Sequence, residues 1–178
     1  MVEISSDANI NPNNERFFHS PIPVIFHIIS VTVYCLLGAF QFSKGLRQRI
    51  LKWHRLAGRI LIPSGLIAAL SGLWMSHFYI LPPMDGQVLY VVRLIVGAAM
   101  LISLVLGYRS IMNRDFKNHE AWMIRAYALG IGAGTQVFTH LPWVIFFGDP
   151  EVGVRAILMT AGWGINMIIA EWVIRRKV

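Results

Sequence analysis

Six histidines are spread along the 178-residue chain, and an imidazole ligates haem iron, zinc or copper as well as donating and accepting hydrogen bonds. His27, His77 and His140 fall a few residues inside one end of three separate apolar runs. His54 and His119 open the opposite ends of two runs, and His19 lies in a polar N-terminal segment. Three helices are thus expected to carry an imidazole to a similar depth.

A bis-histidine haem takes one ligand from each of two facing helices, so His77 and His140 are the expected pair for a haem b. His27 is the alternative ligand, and His27, His77 and His140 together are the expected set if the metal is zinc or copper. Arg93 and Arg155 enter their runs near the same depth, where haem propionates or a bound anion would pair with them. Gln136 precedes His140 by four residues and is expected to fix its tautomer. Trp163 is placed more internally, where either a planar ligand or ordinary helix packing is expected against it. The same residues also fit a ligand-free arrangement in which histidines and arginines near helix ends reach headgroups, carbonyls or water.

A two-haem version pairs His54 with His119 at the other end. His54 and His77 are 23 residues apart and His119 and His140 are 21, about 34 Å and about 31 Å along an ideal helix. Those lengths nearly exhaust the hydrocarbon thickness, so the second pair would sit at the headgroup boundary. Helical phase differs by about 60° within one pair and about 140° within the other, so an unbent second helix does not easily supply both pairs. A second polar group comprises Arg59, Arg125, Asn166 and Glu171, with Glu171 expected to pair with Arg59 or Arg125 and hold three helices together.

The elements that must position these groups follow from composition. Hydrophobic residues make up 56% and charged residues 14% of the chain, and mean hydropathy is +0.57, which is the signature of a chain whose main solvent is lipid. The expected fold is an all-α, integral-membrane bundle of five transmembrane helices at about residues 22–42, 56–81, 88–111, 122–147 and 152–174, each long enough to span about 30 Å. Spans two to five are expected to make the main bundle, with span one alongside. Residues 1–21 form a polar extracytoplasmic tail and 22–178 the membrane domain. Pro82-Pro83 ends the second run, and Pro63 and Pro142 are expected to kink theirs. Gly130 and Gly134 form a GxxxG pair that permits close helix approach.

The net charge of +7 does not form one solvated face, which argues against a nucleic-acid partner. Lys44, Arg47, Arg49, Lys52, Arg55 and Arg59 flank the first connection, Arg109, Arg114 and Lys117 the third, and Arg175, Arg176 and Lys177 the end. With five spans all fall on one side, which predicts a cell-membrane, multi-pass protein with its N-terminus outside and C-terminus cytoplasmic. Tryptophans near the run ends read as an interfacial belt in contact with membrane lipid. The single cysteine, Cys35, excludes an intramolecular disulfide. There is no HExxH, phosphate-binding glycine loop, dinucleotide fingerprint, CxxC pair or hydrolase elbow.

HRLAGR, beginning at His54, and HEAWMIRAYALG, beginning at His119, stand at the entrances of two separate runs. With these signatures the chain resembles a widespread uncharacterised bacterial multi-pass membrane family, over most of its length. The resemblance implies an integral-membrane protein and identifies no substrate. From the histidines comes the expectation of a haem-associated redox or electron-transfer protein that exchanges electrons with a lipid-soluble quinone or a membrane partner. The alternative is a non-enzymatic permease or scaffold.

Overall fold

The computed structural model describes residues 14–41 and 51–176. Residues 1–13 of the expected tail, the basic sites Lys44, Arg47 and Arg49, and Lys177 lie outside the described residues. Helices account for nearly everything else: α1 (Glu15–His19), α2 (Pro21–Gln41), α3 (Leu51–Phe78), a 3-10 turn (Pro83–Asp85), α4 (Gly86–Met112), α5 (Phe116–Gly130), α6 (Gly132–Phe147) and α7 (Val152–Arg176). No strand occurs among the described residues. The protein is an all-α membrane bundle.

Four stretches, Pro21–Gln41, Lys52–Phe78, Pro83–Met112 and Val152–Arg176, are each long and apolar enough to cross a membrane. Within a bilayer core a helix is the local way to bond every backbone N–H and C=O, which is why these runs are helical. Many of their large apolar side chains face outward, among them Ile22, Phe26, Ile95 and Ile168, where lipid rather than protein covers them. α3 stops at Phe78, before the second apolar run ends. Pro82 disfavours the helical conformation at Leu81 and supplies no N–H.

The fourth run departs from a single span. It is two helices, α5 and α6, of 15 and 16 residues, and the discontinuity falls at Ile131, between Gly130 and Gly132. Pro142 and Pro63 each stand inside a continuous helix. The expected GxxxG face does not form either: an added Cβ at Gly130 would meet the Tyr34 ring, whereas one at Gly134 would meet nothing.

Neighbouring helices pack as antiparallel pairs, α2 on α3, α3 on α4, α4 on α5 and α6 on α7, with α7 also against α4 and α5. The central cluster draws Tyr34 from α2, Leu61 and Ala69 from α3, Met100 and Leu104 from α4, and Ala126 and Leu129 from α5. The first span is therefore part of the main core rather than an accessory beside it. One end of the bundle carries the basic residues that start α3 and end α4 and α7; the opposite end carries the Pro83–Asp85 turn and the α6–α7 connection.

Candidate functional site

HRLAGR and HEAWMIR fold in the same way. Each places its histidine as the fourth residue of a helix rising from the basic end, His54 in α3 and His119 in α5. The start of α5 is fixed by Asp115, whose carboxylate accepts from the Asn118 backbone N–H at 3.1 Å and from its side-chain amide at 2.6 Å. Those two bonds hold the exposed Asp115 carboxyl below its ordinary pKa. At α3, the Gln41 amide at the end of α2 donates to the His54 carbonyl at 3.3 Å.

The two segments meet at one cavity of about 1080 Å³, lined by His54, Arg55 and Gly58 from the first signature and by His119, Glu120 and Met123 from the second. Tyr34, Tyr127, Ile131 and Asn166 line it further along the helices, among apolar side chains such as Leu61 and Ile169. The cavity is lined by the starts of α3 and α5, and further along the same helices Leu61, Ala126 and Leu129 share the central cluster. Its volume is slightly above the roughly 300–1,000 Å³ typical of small-molecule sites. The walls are mainly apolar, with polar groups placed at intervals.

The His119 ring is held by the backbone of α4. Its Nδ1 donates to the Gly107 carbonyl at 2.8 Å, so in the neutral ring Nε2 is the nitrogen with the lone pair. Next to the cavity, the Arg125 guanidinium grips Glu171 with Nε at 2.5 Å and Nη2 at 3.1 Å and lies 4.7 Å from the Trp122 ring centroid. Arg59 takes no part: it is exposed and makes no ion pair among the described residues.

The helix break is stitched from α7. Asn166 donates to the Ala128 carbonyl at 3.1 Å and accepts from the Thr135 hydroxyl at 2.9 Å, one bond to each side of Ile131. Backbone groups freed by a broken membrane helix need such partners, because lipid offers none. Trp163 fills the space beside Gly132, where a Cβ would overlap its indole, so this tryptophan packs against protein at the break.

At the opposite end the expected ligands are not brought together. His77 Nδ1 is 3.0 Å from the Tyr90 hydroxyl. His27 Nδ1 donates to the Ala68 carbonyl at 2.9 Å, and His140 Nδ1 donates to the Gln136 carbonyl at 2.9 Å. The Gln136 backbone, and not its side chain, therefore sets the His140 tautomer; the side-chain amide reaches Met159 O at 3.1 Å. α3 and α6 are not among the closely packed helix pairs, and the hydrogen-bond partners of His77 and His140 are Tyr90 and Gln136 rather than each other. Among the described residues, no three His, Cys, Asp or Glu side chains are grouped to hold a metal ion. Arg93 and Arg155 are already partnered, because both bind Asp85, at 2.7 and 2.9 Å.

Asp85 escaped sequence reasoning because an aspartate after two prolines reads as a turn residue. Its side chain is only 3% exposed, and the two arginines that lacked a partner in the sequence were the available signal.

No curated protein and no solved structure matches this chain. A family model does match, over residues 24–174, and its description is a predicted membrane protein, DUF2306. That match takes in the first through last apolar helices and both histidine signatures, and the chain belongs to this family of multi-pass membrane proteins.

Proposed function

We propose that the protein is a membrane electron-transfer protein and that the basic-end cavity holds haem b between His54 and His119. The observation that carries this reading is the convergence on one mainly apolar cavity of two histidines from two separate helices. What supports the group is the donor set: His54 and His119 line one cavity from two helices, the Nδ1 bond of His119 leaves Nε2 as its ligating nitrogen, and Arg55 lines the same cavity as a partner for a propionate. When bound, haem supplies one-electron chemistry; the protein supplies ligation, orientation and a shielded site that sets the potential. Haem placed here replaces the His77–His140 arrangement with the second pair of the two-haem version.

In this reading the basic end is cytoplasmic, residues 1–21 lie on the outer side and the C-terminus inside, in keeping with the distribution of Lys and Arg. The electron partner is a lipid-soluble quinone or a second membrane protein.

Protein purified from haem-supplied cells tests the reading. About one haem per chain, with an absorption spectrum that changes on reduction, is the expected result. Folded protein without haem overturns it.

A second reading, a permease, draws on the broken fourth span. Ile131 and Asn166 at the break line the cavity, and interrupted helices form the binding sites of many transporters. Solute flux in vesicles with no change in absorption on reduction would favour it.

A further inference from the structure

At the end of the bundle opposite the cavity, the enclosed Asp85 carboxylate accepts from Arg93 Nη1 on one oxygen and from Arg155 Nε on the other. One negative charge there faces two positive ones. Each arginine uses a single nitrogen on the acid. Nε and Nη2 of Arg93 and Nη1 and Nη2 of Arg155 make no hydrogen bond among the described residues. They are within reach of a ligand: the two side chains are 21% and 32% exposed, and each of these nitrogens keeps accessible surface.

The helix starts add to the positive excess. The first turns of α4 and α7 touch, since a Cβ at Gly86 would come within 2.5 Å of the Val152 side chain, and each helix N-terminus carries about half a positive charge. Asp85, the cap residue of α4, makes no side-chain bond to that turn, its carboxylate being held by the arginines. Two acids of the α6–α7 connection, Asp149 and Glu151, are exposed and make no ion pair among the described residues. Glu151 precedes Arg155 by four residues, and its carbonyl accepts the Arg155 N–H at 2.8 Å, so the two side chains leave the helix from neighbouring positions.

An excess guanidinium charge in a membrane span is costly without an anion. Arg93 stands within the apolar stretch Pro83–Met112, which is longer than the roughly 20 residues a bilayer core requires, so its first turns reach headgroup depth. Met84, Val88 and Val152 are exposed around the same helix starts, where acyl chains would cover them. A phosphodiester matches the two guanidiniums, whose forked N–H groups suit phosphate oxygens. A primary ammonium on the same headgroup matches Glu151. An anionic headgroup lacking that ammonium would meet Asp149 and Glu151 with no charge to offset them.

We infer that this end of the bundle binds the headgroup of an aminophospholipid of the phosphatidylethanolamine type, its phosphate on Arg93 and Arg155 and its ammonium on Glu151. The site does not depend on what occupies the basic-end cavity.

Native mass spectrometry of the delipidated, detergent-purified protein titrated with dioleoyl phosphatidylethanolamine tests this, with dioleoyl phosphatidylglycerol and inorganic phosphate as separate arms. Saturable binding of about one phosphatidylethanolamine per chain is expected, weakened about tenfold in Arg155→Gln, as the loss of a charge-assisted contact produces. Arg109→Gln, at the basic end, should bind as wild type does. Glu151→Gln changes an exposed side chain, so it should melt as wild type does, weaken phosphatidylethanolamine about threefold and leave phosphatidylglycerol no weaker. That variant decides the matter if Arg155→Gln does not fold. Absence of saturable phosphatidylethanolamine binding, equal affinity of folded Arg155→Gln and wild type, or a Glu151→Gln that weakens neither lipid or both alike would overturn the inference. Displacement of the bound lipid by inorganic phosphate would overturn it as well, by assigning the guanidiniums to a free anion.

Discussion

Asp85 and Arg155, 70 residues apart, meet at 2.9 Å at the end of the bundle opposite the cavity, and Arg93 closes on the other carboxylate oxygen at 2.7 Å. One buried acid thereby joins the Pro83–Asp85 turn to α4 and α7. Removing it strands two guanidiniums that are only 21% and 32% exposed. Asp85→Ala is expected to cost about 2–3 kcal/mol, less than the roughly 3–5 kcal/mol of a fully enclosed pair because both arginines retain some access to water. A thermal melt in detergent checks this, and an unchanged melting temperature would refute the clamp.

The glycines about Tyr34 make a paired prediction. Gly65→Ala places a methyl group against the Tyr34 ring and should destabilise by about 1–3 kcal/mol, as overpacking does. Gly134→Ala meets nothing within 4 Å and should be neutral or gain up to about 1 kcal/mol from helix propensity. If both variants melt alike, Tyr34 is not seated as described.

Much of this architecture was legible in the sequence, for reasons that differ by element. The single-helix spans were plain because twenty or more apolar residues have essentially one way to satisfy their peptide groups in lipid. The common register of His54 and His119 was legible too, as two similar signatures at two helix starts. The break at Ile131 was not, because its cause is tertiary: Trp163 occupies the space beside Gly132, and Asn166 bonds the Ala128 carbonyl before the break and the Thr135 hydroxyl after it. Pro142 was the louder local signal, yet its helix continues past it. Likewise the bonds of Arg93 and Arg155 to Asp85 were hidden while Asp85 read as a turn residue.

Asn166→Leu should loosen the fourth span at its break. It leaves the Ala128 carbonyl and the Thr135 hydroxyl without their partner, a loss of about 1–3 kcal/mol. Hydrogen exchange should rise locally around Ile131 before the protein melts; protection there equal to wild type would show that Asn166 does not hold the break.

The start of α5 should respond to acid. Asp115 has its pKa lowered in the folded protein by the Asn118 side chain and backbone, so its contribution is fully present above the ordinary carboxylate range and is lost as pH falls through the lowered value. Amide exchange at Asn118, corrected for intrinsic rate, should therefore accelerate on acidification in wild type and already be fast at neutral pH in Asp115→Ala. A wild-type profile that is flat with pH would contradict this role.

The central claim is that the histidines of the two signatures share one ligand. Haem content per folded chain, measured side by side in His54→Ala, His119→Ala, His77→Ala and His140→Ala, tests it most directly. The account predicts that the first two lose bound haem while the last two keep it at the wild-type level. Loss confined to His77→Ala and His140→Ala, or haem retained in all four, would contradict it.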